Sequence, residues 1–127
     1  MSETDAVRIA KASYQAYVDK DRETIESLLA KDFHFTSPLD NRINRKTYFE
    51  RCWPNSEQLT DFAFIRAVAA GDTVCVTYEA TTKSGKRFRN TEVMTIRDCK
   101  IHAVEVYFGW DLPHPARAGS FTKSSSD

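Results

Sequence analysis

Apolar residues recur along this chain at steps of three and four over most of its first half, and mainly at steps of two beyond about residue 60. Val7, Ala10, Tyr14 and Tyr17 follow the first rule, with Lys11, Gln15 and Asp19 turned elsewhere, which predicts an amphipathic helix capped by Thr4 or Asp5. Tyr14 and Tyr17 share its buried face. Asp21 suits the cap of a second helix, with Glu23 in the first turn and Ile25, Leu28 and Leu29 as the apolar stripe. The short link Asp19-Lys20-Asp21 makes these two helices neighbours. Period two then intervenes briefly: in DFHFTSPLD, residues 32–40, Phe33, Phe35 and Ser37 face one way and His34 and Thr36 the other, as in a short strand stopped by Pro38. That strand would deliver Ser37 and Asp40 to the lip of whatever it covers. Residues 41–45 are polar and read as a loop, and Asn44 can cap a third helix. Tyr48, Phe49, Cys52 and Trp53 form its apolar face before Pro54 ends it.

Residues 62–70, 73–82, 87–97 and 101–108 are rich in β-branched and aromatic side chains and are separated by turn-forming clusters, which predicts a meander of long antiparallel strands. Helices first and strands afterwards give an α+β fold. The expected architecture is a cone-shaped α+β barrel, with three N-terminal helices packed on a curved antiparallel sheet. Residues 1–116 would form this domain. Residues 117–127, with Phe121 as their only large apolar side chain, read as a disordered tail.

Composition narrows the function classes. At 127 residues the chain suits one domain with one core. Eighteen basic residues balance eighteen acidic ones, which removes the electrostatic case for nucleic acid or an anionic membrane, so binding must come from a local pocket. Cys52, Cys75 and Cys99 are odd in number, lack metal-ligand spacing and read as buried or half-buried thiols, so no metal and no cofactor are expected. With no basic segment leading into an apolar run at the start, the expected location is the cytoplasm.

The order helix, helix, Asp-Phe-x-Phe-x-Ser-Pro, helix, then four strands closing on Val106-Tyr107-Phe108 resembles the SnoaL-like and ketosteroid-isomerase-like branch of the nuclear transport factor two superfamily, over roughly residues 4–110. In ketosteroid isomerases a helix tyrosine and a neutral carboxylic acid donate hydrogen bonds to a developing enolate oxygen, and a second carboxylate moves the proton; such an acid is kept neutral by an apolar site. The resemblance implies Tyr14 as the tyrosine and Glu92 as the acid. It puts Ser37 where the base would stand, and a serine cannot do that work. Asp40, three residues further on, can replace it if its side chain turns inward. Limonene-epoxide-hydrolase-like members carry an aspartate where this chain has Val106, and scytalone-dehydratase-like members need a histidine pair that His34 and His102 do not match, so the resemblance disfavours both activities.

Phe33, Phe35, Ser37, Trp53, Met94, Val104, Val106 and Phe108 are the residues expected to line a ligand pocket. The same side chains would equally fill a solid core, which periodicity does not distinguish. His34, His102 and His114 read as surface or satisfied histidines. Two functions follow. One is a small-molecule-binding protein for an apolar or carbonyl-bearing compound, with isomerase- or cyclase-like proton transfer carried by Tyr14, Asp40 and Glu92. The other is a noncatalytic module pairing as a homodimer through the outer face of its sheet.

Overall fold

The computed structural model describes residues 1–123. Helix α1 (Glu3–Asp19) is capped by Ser2, whose Oγ accepts from the Asp5 amide at 3.0 Å while the Asp5 carboxylate accepts from the Ser2 amide at 3.3 Å. The cap therefore lies earlier than Thr4 or Asp5, because this reciprocal pair satisfies two amide donors at once. α1 buries Ala6, Ile9, Ala10, Ser13, Tyr14 and Ala16. Lys20, in the left-handed region at φ 56°, ends it and turns the chain into α2 (Arg22–Leu28), capped by Asp21 as expected.

Strand β1 (Leu29–Ser37) takes Leu29 out of the helix stripe and buries Phe33. The expected loop after Pro38 is instead a strand, β2 (Asp40–Asn44), which folds back on β1 with Ile43 opposite Phe35 and Asn44 opposite His34. Its polar residues misled the reading because an edge strand need cover only one apolar side chain, here Ile43. Asn44 caps α3 (Arg45–Arg51), accepting from the Thr47 amide at 2.9 Å. Helix α3 stops before Trp53, and Pro54 sits near the start of a separate 3₁₀ turn, Trp53–Gln58, where its missing amide costs no hydrogen bond.

Strands β3 (Leu59–Ala70), β4 (Thr73–Thr82), β5 (Arg87–Arg97) and β6 (Lys100–Leu112) form the expected meander. The whole sheet has the order β2-β1-β6-β5-β4-β3. Because β1 lies beside β6 and runs parallel to it, the curved sheet is mixed rather than antiparallel throughout. Strands β2 and β3 are its two edges, so it is not closed. Only α1 and α2 precede the strands; α3 is inserted between β2 and β3.

The inner face of the sheet buries Val74, Val76, Tyr78 and Ala80 of β4, Met94 and Ile96 of β5, and Ile101, Val104 and Val106 of β6. These pack with α1, Phe33 and the α3 aromatics into one core. Register shifts in β3 near Phe64 and between β5 and β6 at Arg89 and Asn90 interrupt regular pairing. Gly109 stands at the second of these. It is a strand residue and not the turn residue expected, because a Cβ there would lie 2.1 Å from the Arg89 carbonyl oxygen.

Cys52 is buried and Cys75 half-buried, but Cys99 is exposed, contrary to expectation. It sits with Asp98 in the β5–β6 turn, where both residues adopt positive φ (62° and 52°) as a tight hairpin requires. Residues 117–123 are exposed, and the rest of the expected tail, 124–127, lies outside the described residues. Among the described residues no helix is long and apolar enough to cross a membrane.

Candidate functional site

Between α1, β1, α3 and the inner face of the sheet lies a cavity of about 380 Å³. Its walls are mostly apolar, and among the polar groups that reach it Tyr14 of α1, Tyr78 of β4 and Glu92 of β5 form one hydrogen-bonded cluster deep in the fold. Tyr14 is an inward α1 residue, and its ring packs edge-on against Phe62 and Phe64 and at a tilt against Tyr78, with centroids 5.1–5.4 Å apart. Glu92 occupies an inward position of β5, in line with Met94 and Ile96. Its carboxylate is surrounded by protein, and its remaining exposure is to the cavity.

Tyr14 Oη donates to Glu92 Oε1 at 3.0 Å, and Tyr78 Oη donates to Glu92 Oε2 at 2.6 Å. Asn90 Nδ2 donates to Tyr78 Oη at 3.4 Å, and Asn90 Oδ1 accepts from the Gly109 amide at 3.2 Å. The bulge that requires glycine thus also holds the amide that orients Tyr78. Burial raises the Glu92 carboxyl above the usual glutamate value, and the hydrogen bonds from Tyr78 and Tyr14 only partly counter it. Burial, followed by the Glu92 charge, pushes both tyrosines well above their ordinary value.

This arrangement has a definite proton count. With Glu92 ionised, the two tyrosine protons serve its two oxygens and no O–H of the trio is left over. With Glu92 protonated, three protons serve two contacts, and one O–H is free to point into the cavity.

Asp40 borders the same cavity nearer the surface, where its side chain is only 9 % exposed. Oδ2 accepts from Ser37 Oγ at 2.8 Å, and Oδ1 accepts from Arg51 Nε. Partial burial acts to raise its carboxyl, but the hydrogen bonds from Arg51 and Ser37 and the Arg51 charge outweigh it and hold the group below the usual aspartate value.

The structure brings Tyr14, Asp40 and Glu92 to one cavity, together with Phe33, Phe35, Ser37, Met94, Val104, Val106 and Phe108. Phe108 is 56 % exposed and stands at the edge. Trp53 is not among the lining residues; it lies in the 3₁₀ turn, with its ring 4.9 Å from that of Tyr17. Arg87 and Arg89 pair with Glu79 on the outer face, leaving Glu92 to the tyrosines. His102 bonds to Asp32 at 2.9 Å and to the Arg97 carbonyl at 3.2 Å, and His114 accepts from the Ala116 amide at 2.9 Å. His34 departs from expectation, since its Nδ1 is buried without a hydrogen-bond partner among the described residues. No group of three potential metal ligands occurs among the described residues.

Tyr78, Asn90 and Arg51 were missed as polar members of the site. A signal for the first two existed in the alternation: Tyr78 is in step with Val74 and Val76 on β4, and Asn90 with Glu92 and Met94 on β5, so all face inward, and the register pairs Tyr78 with Asn90 beside Glu92. Arg51 had none, because its contact with Asp40 depends on how α3 packs against the β1–β2 hairpin.

The family model described as a SnoaL-like domain matches residues 10–104. No curated protein matches the sequence. Solved structures share the fold. An epoxide hydrolase of the limonene-epoxide-hydrolase-like type from M. tuberculosis is 21 % identical with a TM-score of 0.72, the alignment covering 84 % of each chain. A candidate ketosteroid isomerase from Kribbella flavida is 17 % identical with a TM-score of 0.74, over 96 % of this chain and 91 % of that one. A candidate SnoaL-like polyketide cyclase from a Jannaschia species is 13 % identical with a TM-score of 0.71, over 83 % and 85 %. At these identities the likeness is one of fold.

Proposed function

From the premise that this chain belongs to the SnoaL-like domain family, we propose that it binds a small, mostly apolar, carbonyl-bearing molecule in the cavity, with the Tyr14–Glu92–Tyr78 cluster as the polar anchor. The observation that carries this reading is a carboxyl group within an apolar-walled cavity with a tyrosine hydroxyl on each of its oxygens. Protonated Glu92 supplies the free O–H that a carbonyl or developing enolate oxygen accepts. Proton transfer at the carbon beside that carbonyl is the chemistry such an anchor promotes, and Asp40, ionised at neutral pH, is the carboxylate available to take the proton. Its pairing with Arg51 holds its pKa down and so weakens it as a base. Of the activities in the named neighbours, proton transfer of the isomerase or cyclase kind fits better than epoxide hydrolysis, because Val106 stands where that chemistry places its aspartate.

The test is the affinity of a neutral ketone, 1-tetralone, as a function of pH. Wild type should lose affinity as pH rises through the Glu92 titration, because ionisation consumes the free donor. Glu92→Gln, which always carries an N–H donor, should bind with no such dependence, and Glu92→Met should bind several-fold more weakly at every pH. A wild-type affinity independent of pH, with Glu92→Met as tight as wild type, would remove the anchor.

The homodimer belongs to the same reading. Val68 and Tyr107 are exposed at 58 % and 54 % on the outer side of the sheet, a face suited to pairing with a second copy. Light scattering that finds only monomer at high concentration would exclude it.

A further inference from the structure

A second polar element borders the cavity and takes no part in the Glu92 cluster. Tyr17 lies three residues after Tyr14 on α1, on the same side of the helix, and Tyr48 sits on α3; both line the cavity, and their hydroxyls hydrogen-bond to one another. Trp53 backs the Tyr17 ring at 4.9 Å, while Phe33 and Phe35 hold the Tyr48 ring at 5.0 and 5.3 Å. Neither hydroxyl has another hydrogen-bond partner among the described residues.

Two phenols joined by one hydrogen bond have one proton more than the bond uses. Whichever tyrosine donates to its neighbour, the neighbour's own O–H is left to find an acceptor, and a buried donor without one carries a desolvation penalty. Burial keeps both phenols protonated far beyond neutral pH, so this surplus does not depend on pH.

We infer that the Tyr17–Tyr48 pair is a second ligand anchor, so that the cavity selects an apolar compound carrying two oxygen acceptors, one for the Glu92 cluster and one for this pair. The inference rests on the proposed ligand-binding reading and narrows it from a ketone to a dioxygenated frame such as a 1,3-diketone. The pair also has an unusual signature. Removing one hydroxyl leaves the other with a proton that no neighbour claims, so either single variant keeps a donor and loses only its positioning; removing both leaves none.

Three probes on one frame test it: tetralin, 1-tetralone and 2-acetyl-1-tetralone, titrated against the whole protein by isothermal calorimetry. In wild type the diketone should bind about tenfold more tightly than the ketone. That ratio should fall only a few-fold in Tyr17→Phe and in Tyr48→Phe, and should reach about one in Tyr17→Phe/Tyr48→Phe. Because each ratio is taken within one protein, general loosening of the pocket cancels. A diketone no tighter than the ketone in wild type, or a ratio unchanged in the double variant, overturns the second anchor while leaving the first standing. Tetralin binding as tightly as both oxygenated probes, or no probe binding, overturns the ligand reading itself and this inference with it.

Discussion

Glu92 and Asp40 border the same cavity, yet the protein treats the two carboxyl groups in opposite ways. Glu92 is approached only by neutral hydroxyls and is shielded by apolar walls, so its environment favours the proton-bearing form. Asp40 lies near the surface beside a guanidinium, which favours the charge. Two carboxyls with separated proton affinities around one void are the arrangement from which an acid and a base can be assigned. Here the deep group suits donation to a ligand oxygen and the shallow one suits accepting a proton. The contrast also has mechanical content: the deep end is held by packed rings, the rim by a charge pair whose guanidinium is open to water.

The deep end is where the largest effect is expected. Tyr14 packs against Phe62, Phe64 and Tyr78 and donates to Glu92, so Tyr14→Ala removes a buried ring and one of the carboxylate's two donors. The expected loss is about 3–5 kcal/mol of unfolding free energy, read from urea denaturation. Tyr14→Phe keeps the ring and should lose about 1–2 kcal/mol. Equal losses in the two variants would mean that the hydroxyl, and not the packing, dominates that end.

The next effect concerns the sign of pH dependence. Glu92 has a raised pKa in the folded state, so the folded protein holds the proton more tightly than the unfolded chain does. Its contribution is fully present below the ordinary glutamate range and is lost as pH rises through the folded value, about 1.4 kcal/mol for each pH unit between the two. Asp40 is depressed, so its contribution is present above the ordinary aspartate range and lost as pH falls. Asp5 and Asp21 are lowered too and add to the acid-side loss, which makes the variant difference the quantity to measure. Stability profiles should show that Glu92→Gln flattens the high-pH side alone and Asp40→Asn the low-pH side alone. Both variants flattening the same side would end the contrast.

How far this could be read from the sequence follows the same division between local and distant contacts. Strand limits 73–82 and 87–97 coincide with β4 and β5, because alternation and turn residues act over a few positions. Asp21 and Asn44 cap the helices expected of them for the same reason. Tyr14 and Glu92 could be paired in advance only through the family resemblance, since their contact spans 78 residues. The β1–β6 parallel pairing, the β2 strand and the Arg51–Asp40 contact escaped the reading because each depends on how separated segments pack. Trp53 escaped differently: its helical spacing put it on the correct apolar face, but the 3₁₀ turn sends it behind Tyr17, away from the cavity.

The smallest stability effect is expected at the rim, and it probes the base most directly. Arg51 is 53 % exposed, so its attraction for Asp40 is screened, and Arg51→Gln should leave the denaturation midpoint close to wild type. What should move is the Asp40 titration. With the guanidinium gone, Ser37 alone opposes the partial burial that acts to raise that carboxyl, and its pKa, followed by the side-chain carboxyl signal in NMR, should rise toward the ordinary aspartate value. A carboxylate of higher pKa is a stronger base, so any hydrogen–deuterium exchange at the carbon beside the carbonyl of bound 1-tetralone should quicken in this variant and vanish in Asp40→Asn. Exchange that is unchanged in Arg51→Gln despite a shifted Asp40 titration would separate Asp40 from the chemistry and leave the rim pair a structural clasp between the β1–β2 hairpin and α3.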